Sequence, residues 1–167
     1  MKTNLAVAAV ATTIAAFAAP SASHAQTALT VDQARTIIAP FYDALNRPAD
    51  KDVAKLLSEA TSPEWVSCGA NDTCLPREKV IGGFKSRGAA IPDLKWEIKE
   101  IIVSGDRIVV RGEGSGTPAG TFLGVPAGGK SFRVMSIDVH TIENGKMVRS
   151  YHLEDWAGAI RQLAGNS

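Results

Sequence analysis

Asn144-Gly145 stands between two runs of alternating apolar and polar residues, Phe132 to Glu143 and Lys146 to Asp155. A type I′ turn needs two central residues that tolerate positive φ, and Asn-Gly is the strongest short-range signal for one. The stretch from Lys130 to Asp155 is therefore predicted to be a long β-hairpin carrying Asp138, His140, Arg149 and Asp155. Counting outward from a two-residue turn pairs Glu143 with Lys146, His140 with Arg149, Asp138 with Tyr151 and Val134 with Asp155. Side chains alternate across a strand. One face is thus expected to carry Asp138, His140, Arg149, Tyr151 and Asp155. The other carries Met135, Ile137, Val139, Val148, Ser150, His152 and Glu154. The first is expected to line a pocket. The second, with its apolar stripe, is expected to be covered by another copy of the chain in a homodimer.

The rest of the chain supplies helices first and strands later. Thr30 followed by Gln33 is a capping-box start, and Val31, Ala34, Ile37, Ile38, Phe41, Tyr42 and Leu45 then recur at helical spacing. Asn46-Arg47-Pro48 ends that helix, Asp50 is expected to cap a short second one, and Glu64 to Cys68 reads as a strand that turns Trp65 inward. Pro76 opens a third helix, where a missing N–H is harmless, running to about Arg87-Gly88. From Leu94 the period becomes two. Gly105-Asp106 is a plausible turn that sets Ser104 opposite Arg107 and Glu100 opposite Arg111. The returning strand places Gly112, Gly114 and Gly116 on one face, which calls for a sharply bent sheet or the close approach of a ligand or partner. Helices followed by an antiparallel run read as an α+β fold.

The first 25 residues read as a cleaved export signal. Met1-Lys2 gives a positive start, Leu5 to Ala19 is rich in Ala and Val, and Ser23-His24-Ala25 offers a small-x-small cleavage site. The apolar run is shorter than the ~20 residues a bilayer span requires, so no membrane attachment is expected after cleavage. Residues 26–167 then form one domain, periplasmic or secreted. The formal charge of +1 falls to zero once Lys2 is removed. With no basic run, nucleic acid is not an expected partner. Cys68 and Cys74 enclose Gly-Ala-Asn-Asp-Thr, a loop able to bring two sulfurs together, and an oxidising compartment lets such a bridge persist. A zinc site finds no further Cys or His ligand nearby in sequence. Two free thiols are the other alternative.

The run Gly120-Thr121-Phe122-Leu123-Gly124-Val125-Pro126 joins Ile137-Asp138-Val139-His140, Glu143-Asn144-Gly145-Lys146, Glu154-Asp155-Trp156 and Arg161-Gln162-Leu163 in a recognisable pattern. From Thr30 to Leu163 the chain resembles the SnoaL-like polyketide cyclase family of the nuclear transport factor two-like superfamily. The resemblance implies a cystatin-like fold, in which a curved antiparallel sheet wraps around three N-terminal helices and encloses a conical pocket. In those cyclases a late-strand Asp is the acid/base of an intramolecular aldol condensation, with a His on the neighbouring strand. These roles map onto Asp155 and His140. Asp138, Trp65, Tyr151, Arg149 and Phe41 would then form the substrate-binding wall. Such a mechanism requires no metal and no organic cofactor.

Structural roles compete for the same residues. Asp155 precedes Trp156-Ala157-Gly158 and is suited to cap a final helix, and Asp138, His140 and Arg149 could form an ion-pair cluster. Asp155 also lies roughly 13 Å along a flat sheet from the level of Asp138, so a direct dyad with His140 is not implied. No nucleophile elbow or Cys/His pairing points to a serine or cysteine hydrolase. Two functions stay open. One is an exported, cofactor-independent cyclase, isomerase or lyase using Asp/His acid–base chemistry on an apolar carbonyl compound. The other is a non-catalytic periplasmic protein that binds a small hydrophobic ligand.

Overall fold

A computed structural model describes residues 29–165. The expected signal peptide lies outside the described residues. Helix α1 (Val31–Leu45) starts at the capping box: the Gln33 N–H donates to Thr30 Oγ1 at 3.2 Å, and the Thr30 N–H donates to Gln33 Oε1 at 2.9 Å. Asn46 ends it and ties it to the sheet. Its Nδ2 donates to the Tyr42 carbonyl, and its Oδ1 accepts the Trp96 N–H at 2.7 Å. Asp50 does not cap the second helix. It falls in a single 3₁₀ turn, Pro48–Asp50, and pairs with Arg47 at 2.9 Å. The cap of α2 (Val53–Ala60) is Asp52, which directly precedes it and accepts the Lys55 N–H at 3.0 Å.

Strand β1 (Thr61–Ala70) turns into β2 (Thr73–Pro76), Pro76 directly precedes α3 (Arg77–Ala90) without a side-chain cap, and β3 (Lys95–Ser104) and β4 (Arg107–Gly116) form the next hairpin. A small ladder, β5 (Thr121–Phe122) with β6 (Val125–Pro126), precedes the long hairpin of β7 (Phe132–Glu143) and β8 (Lys146–Glu154). Helix α4 (Trp156–Ala164) closes the chain. Six strands make one curved sheet in the order β2-β1-β8-β7-β4-β3, in which β1 and β8 form the parallel pair. The sheet is therefore mixed rather than wholly antiparallel. Among the described residues no helix is long and apolar enough to cross a membrane.

Cys68 and Cys74 face each other across β1 and β2 and are joined as a disulfide. The Gly105-Asp106 turn sets Glu100 opposite Arg111, as its length predicts, and their side chains meet at 3.0 Å. Beyond that pair a bulge at Lys99 brings Trp96 opposite Gly114. The glycines of β4 make room for the chain's own core. A Cβ on Gly114 would lie 2.6 Å from Trp96 Cζ3, and one on Gly112 would lie 2.6 Å from Ser136 Oγ.

The long hairpin departs from the expected register. Asn144 (φ 51°) and Gly145 (φ 73°) form the turn, Glu143 pairs with Lys146, and Ile142 pairs with Met147. Thr141 then pairs with Arg149, so Val148 is an extra residue without a partner on β7. Such a bulge shifts the alternation by one position and exchanges the faces of everything beyond it. His140 therefore lies opposite Ser150, Asp138 opposite His152 and Ser136 opposite Glu154. Ser150, His152 and Glu154 join Asp138 and His140 on the inner face, whereas Arg149, Tyr151 and Leu153 point outward.

Gly114→Ala is expected to destabilise the fold by about 1–3 kcal/mol, the usual cost of overpacking against a core ring. Gly82→Ala, in α3, where an added Cβ meets nothing within 4 Å, is expected to stabilise by about 0.5–1 kcal/mol through helix propensity. Urea unfolding of both variants checks the contrast.

Candidate functional site

A cavity of about 220 Å³ opens between the helices and the inner face of the sheet. Helix α1 contributes Phe41 and Leu45, and α3 contributes Lys79, Val80, Gly83, Phe84 and Arg87. The β1–β2 hairpin adds Ser67, Gly69, Thr73 and Leu75, so the disulfide staples one rim. The polar wall is Asp138, His152 and Glu154, which the bulge brings to one face. Among the described residues, no three His, Cys, Asp or Glu side chains converge as metal ligands.

Of the residues singled out in the sequence, Phe41 and Asp138 line this cavity. Trp65 and His140 lie one layer behind it, their rings packed edge-on against Phe41 at 6.0 and 5.5 Å. Arg149 and Tyr151 lie on the outer face, where the guanidinium sits 5.9 Å from the tyrosine ring. Asp155 caps α4: its Oδ1 accepts the Gly158 N–H at 2.8 Å, and its side chain lies 3.8 Å from Arg161. It is not brought to the cavity. Tyr42, His152 and Glu154 were not candidates. Tyr42 stood among the core positions of α1, and the other two were assigned outward by the unbulged register.

Asp138 is only 5% exposed, and its Oδ2 accepts the Tyr42 hydroxyl at 3.0 Å. Burial raises its carboxyl pKa to about 7. The Tyr42 hydroxyl, His152 and Ser136 oppose that shift, and the negative charge of Glu154 adds to it. Burial, followed by the charge of Asp138, holds Tyr42 well above the ordinary phenol range, so it stays a donor. His140 is fully buried, and burial, with a smaller contribution from the charge on His152, lowers its pKa to about 3. It is a neutral imidazole.

These groups form one chain of hydrogen bonds. The Trp65 indole donates to Ser150 Oγ at 2.9 Å, Ser150 Oγ lies 2.8 Å from His140 Nδ1, and His140 Nε2 lies 3.2 Å from the Tyr42 hydroxyl. When Asp138 is ionised the polarity is set from both ends. An indole only donates, a carboxylate only accepts, and a neutral imidazole does one at each nitrogen. Ser150 then donates to Nδ1, Nε2–H donates to Tyr42, and Tyr42 donates to Asp138. His140 thus orients Tyr42.

His152 and Glu154 stand two apart on β8 and so share a face. His152 Nδ1 lies 2.9 Å from Glu154 Oε1, and the Trp156 indole donates to Oε2 at 3.2 Å. The hydrogen bond to Glu154 raises the histidine pKa against burial, with the charges of Glu154 and Asp138 helping and that of Arg87 opposing. Burial acts to raise the Glu154 carboxyl, but the hydrogen bond and charge of His152, with Arg87 and Trp156, outweigh it and lower its pKa. Both shifts favour the ionic form of the pair. Nδ1 is taken by Glu154, which leaves Nε2–H beside Gly69. A Cβ there would come 3.5 Å from Nε2. An apolar cavity thus presents a carboxyl raised to about 7 next to a histidine N–H donor whose protonated form Glu154 favours. This combination can remove a proton beside a carbonyl and stabilise the resulting oxyanion.

The fold and site can be set beside known proteins. No curated protein matches the chain. Among solved structures, TsrD from Streptomyces laurentii is 27% identical with a TM-score of 0.69, over 83% of this chain and 99% of that one. IdmH from Streptomyces antibioticus is 25% identical with a TM-score of 0.67, over 77% and 96%. A SnoaL-like polyketide cyclase from Agrobacterium tumefaciens shares the fold at 21% identity and a TM-score of 0.61, over 76% and 94%. The family profile described as SnoaL-like polyketide cyclase matches residues 36–163. The chain belongs to the SnoaL-like polyketide cyclase family.

Proposed function

We propose that the chain is an exported, cofactor-independent acid–base enzyme that cyclises or isomerises a small apolar carbonyl compound, with Asp138 as the base. The observation that carries this function is the buried Asp138 carboxyl, raised to about 7 in an apolar cavity beside the His152–Glu154 pair. A catalytic base works best with a pKa near the operating pH. Ionised Asp138 takes a proton from the carbon next to the carbonyl, and the electron pair of that C–H bond becomes an enolate. The enolate oxygen accepts a hydrogen bond from His152 Nε2–H. In a cyclisation the enolate carbon attacks a second carbonyl of the same molecule, and the new alkoxide takes the proton back from Asp138. Atoms are conserved and the carboxylate is regenerated. Export is supported by the leader-like N-terminus and by the Cys68–Cys74 disulfide.

Proton abstraction can be followed without the natural substrate, as α-proton exchange of a small cyclic ketone such as 2-tetralone in D₂O. Asp138→Asn is expected to slow enzyme-dependent exchange by about 10²–10⁴-fold, the usual contribution of a positioned base, while Asp155→Asn and Arg149→Gln leave it unchanged. Exchange should rise with pH around a midpoint near 7, where Asp138 ionises, and fall again where His152 loses its proton. Full exchange by Asp138→Asn, with the ketone still bound, would remove Asp138 as the base, and binding of the ketone by the natural protein without enzyme-dependent exchange would leave the cavity as a binding site alone.

The outer face of the long hairpin supports a homodimer, since Met135 and Leu153 are 56% and 70% exposed beside Ile137 and Tyr151. An apolar patch of this kind marks an interaction surface. Sedimentation at micromolar concentration should give a dimer for the natural sequence and a monomer for Leu153→Glu. A monomeric natural protein would remove the assignment.

A further inference from the structure

Arg87 is a half-buried cation lining the cavity without a carboxylate of its own. Among the described residues no Asp or Glu oxygen lies within 4.0 Å of its guanidinium. The nearby acids are engaged elsewhere: Glu154 accepts from His152 and Trp156, and Asp155 caps α4 and lies near Arg161. The side chain is nevertheless held in place, with its guanidinium carbon 5.4 Å from the centre of the Trp156 ring.

Charge on the lining points the same way. His152 and Glu154 cancel, which leaves Lys79 and Arg87 against Asp138 alone. Below neutral pH, where Asp138 is protonated, neither cation is balanced. An unpaired charge facing low-dielectric walls is costly until an anion neutralises it. Lys79 sits exposed, two helical turns away, about 12 Å along α3, so Arg87 is the cation placed next to the catalytic wall. Between them Gly83 removes a side chain from the cavity side of α3, where an added Cβ would meet nothing within 4 Å.

We propose that the compound this cavity takes is a one- or two-ring apolar keto acid whose carboxylate is held by Arg87. The assignment rests on the acid–base function above and names its substrate class. A guanidinium is planar, and its N–H edge matches a carboxylate in two parallel hydrogen bonds. Phe41, Leu45, Val80 and Phe84 supply the apolar walls. Volume sets the size. The cavity of about 220 Å³ exceeds the roughly 150 Å³ that accommodates benzene and falls short of the roughly 300 Å³ at which pockets for drug-sized ligands begin.

The probe is 2-naphthoate, titrated by its own fluorescence against methyl 2-naphthoate and 2-naphthyl phosphate. The acid is expected to bind at least about tenfold more tightly than the ester, as for a hydrogen bond to a charged group. Arg87→Gln should abolish the preference and Arg87→Lys should retain part of it, with thermal unfolding showing that both variants fold. Asp138→Asn should keep the acid preference while losing α-proton exchange, so the two assignments fail separately. Equal binding of acid and ester, an undiminished preference in folded Arg87→Gln, tighter binding of the phosphate, or no binding of any probe would each overturn the proposal.

Discussion

Val148 has no partner on β7, because Ile142 pairs with Met147 and Thr141 already pairs with Arg149. From that point β8 is rotated by one residue relative to a regular hairpin, and its alternate side chains change sides. The polar groups that β8 brings to the inner face depend on this. Ser150 reaches His140, His152 comes opposite Asp138, and Glu154 follows within reach of His152 and Trp156. The neighbouring pairing of β1 with β8 is also irregular, jumping from Thr61–Met147 to Val66–Arg149, so both sides of β8 accommodate the distortion.

Behind the cavity wall the core is partly polar, and its polar atoms are matched. Trp65, Ser150, His140 and Tyr42 form a directional chain ending on Asp138, while Trp96 donates to Ser136 at 3.2 Å. Leaving such groups unpaired in the interior costs about 1–3 kcal/mol each. Satisfied, they keep Asp138 and the neutral imidazole of His140 in one arrangement. The cost of burial falls on Asp138, whose ionisation is deferred to near neutral pH. The feature that weakens the carboxylate as an acid makes it a useful base.

Local signals in the sequence account for much of the architecture. Thr30 and Gln33 fix the start of α1, Asn144-Gly145 fixes the turn, and the length of the Gly105-Asp106 turn sets Glu100 against Arg111. The site was less legible. In a regular register Arg149, Tyr151 and Leu153 would face inward, and two of these look like core residues, whereas Ser150, His152 and Glu154 look like a solvated face. The structure has the reverse because Val148 bulges out of the pairing with β7 and shifts the alternation by one residue. Periodicity cannot report a bulge that leaves the alternation intact and moves it by one. Asp155 was ambiguous for another reason: the residue type suited to acid–base work also suits a helix cap, and the Gly158 N–H at 2.8 Å is the partner it finds.

Titration of the Asp138 side-chain carboxyl carbon by NMR tests the central claim most directly. The buried carboxyl held by Tyr42 should titrate with a midpoint near 7, and Tyr42→Phe should raise it further by removing a hydrogen bond to the charged form. A midpoint near that of an exposed aspartate, about 3.9, would contradict the account.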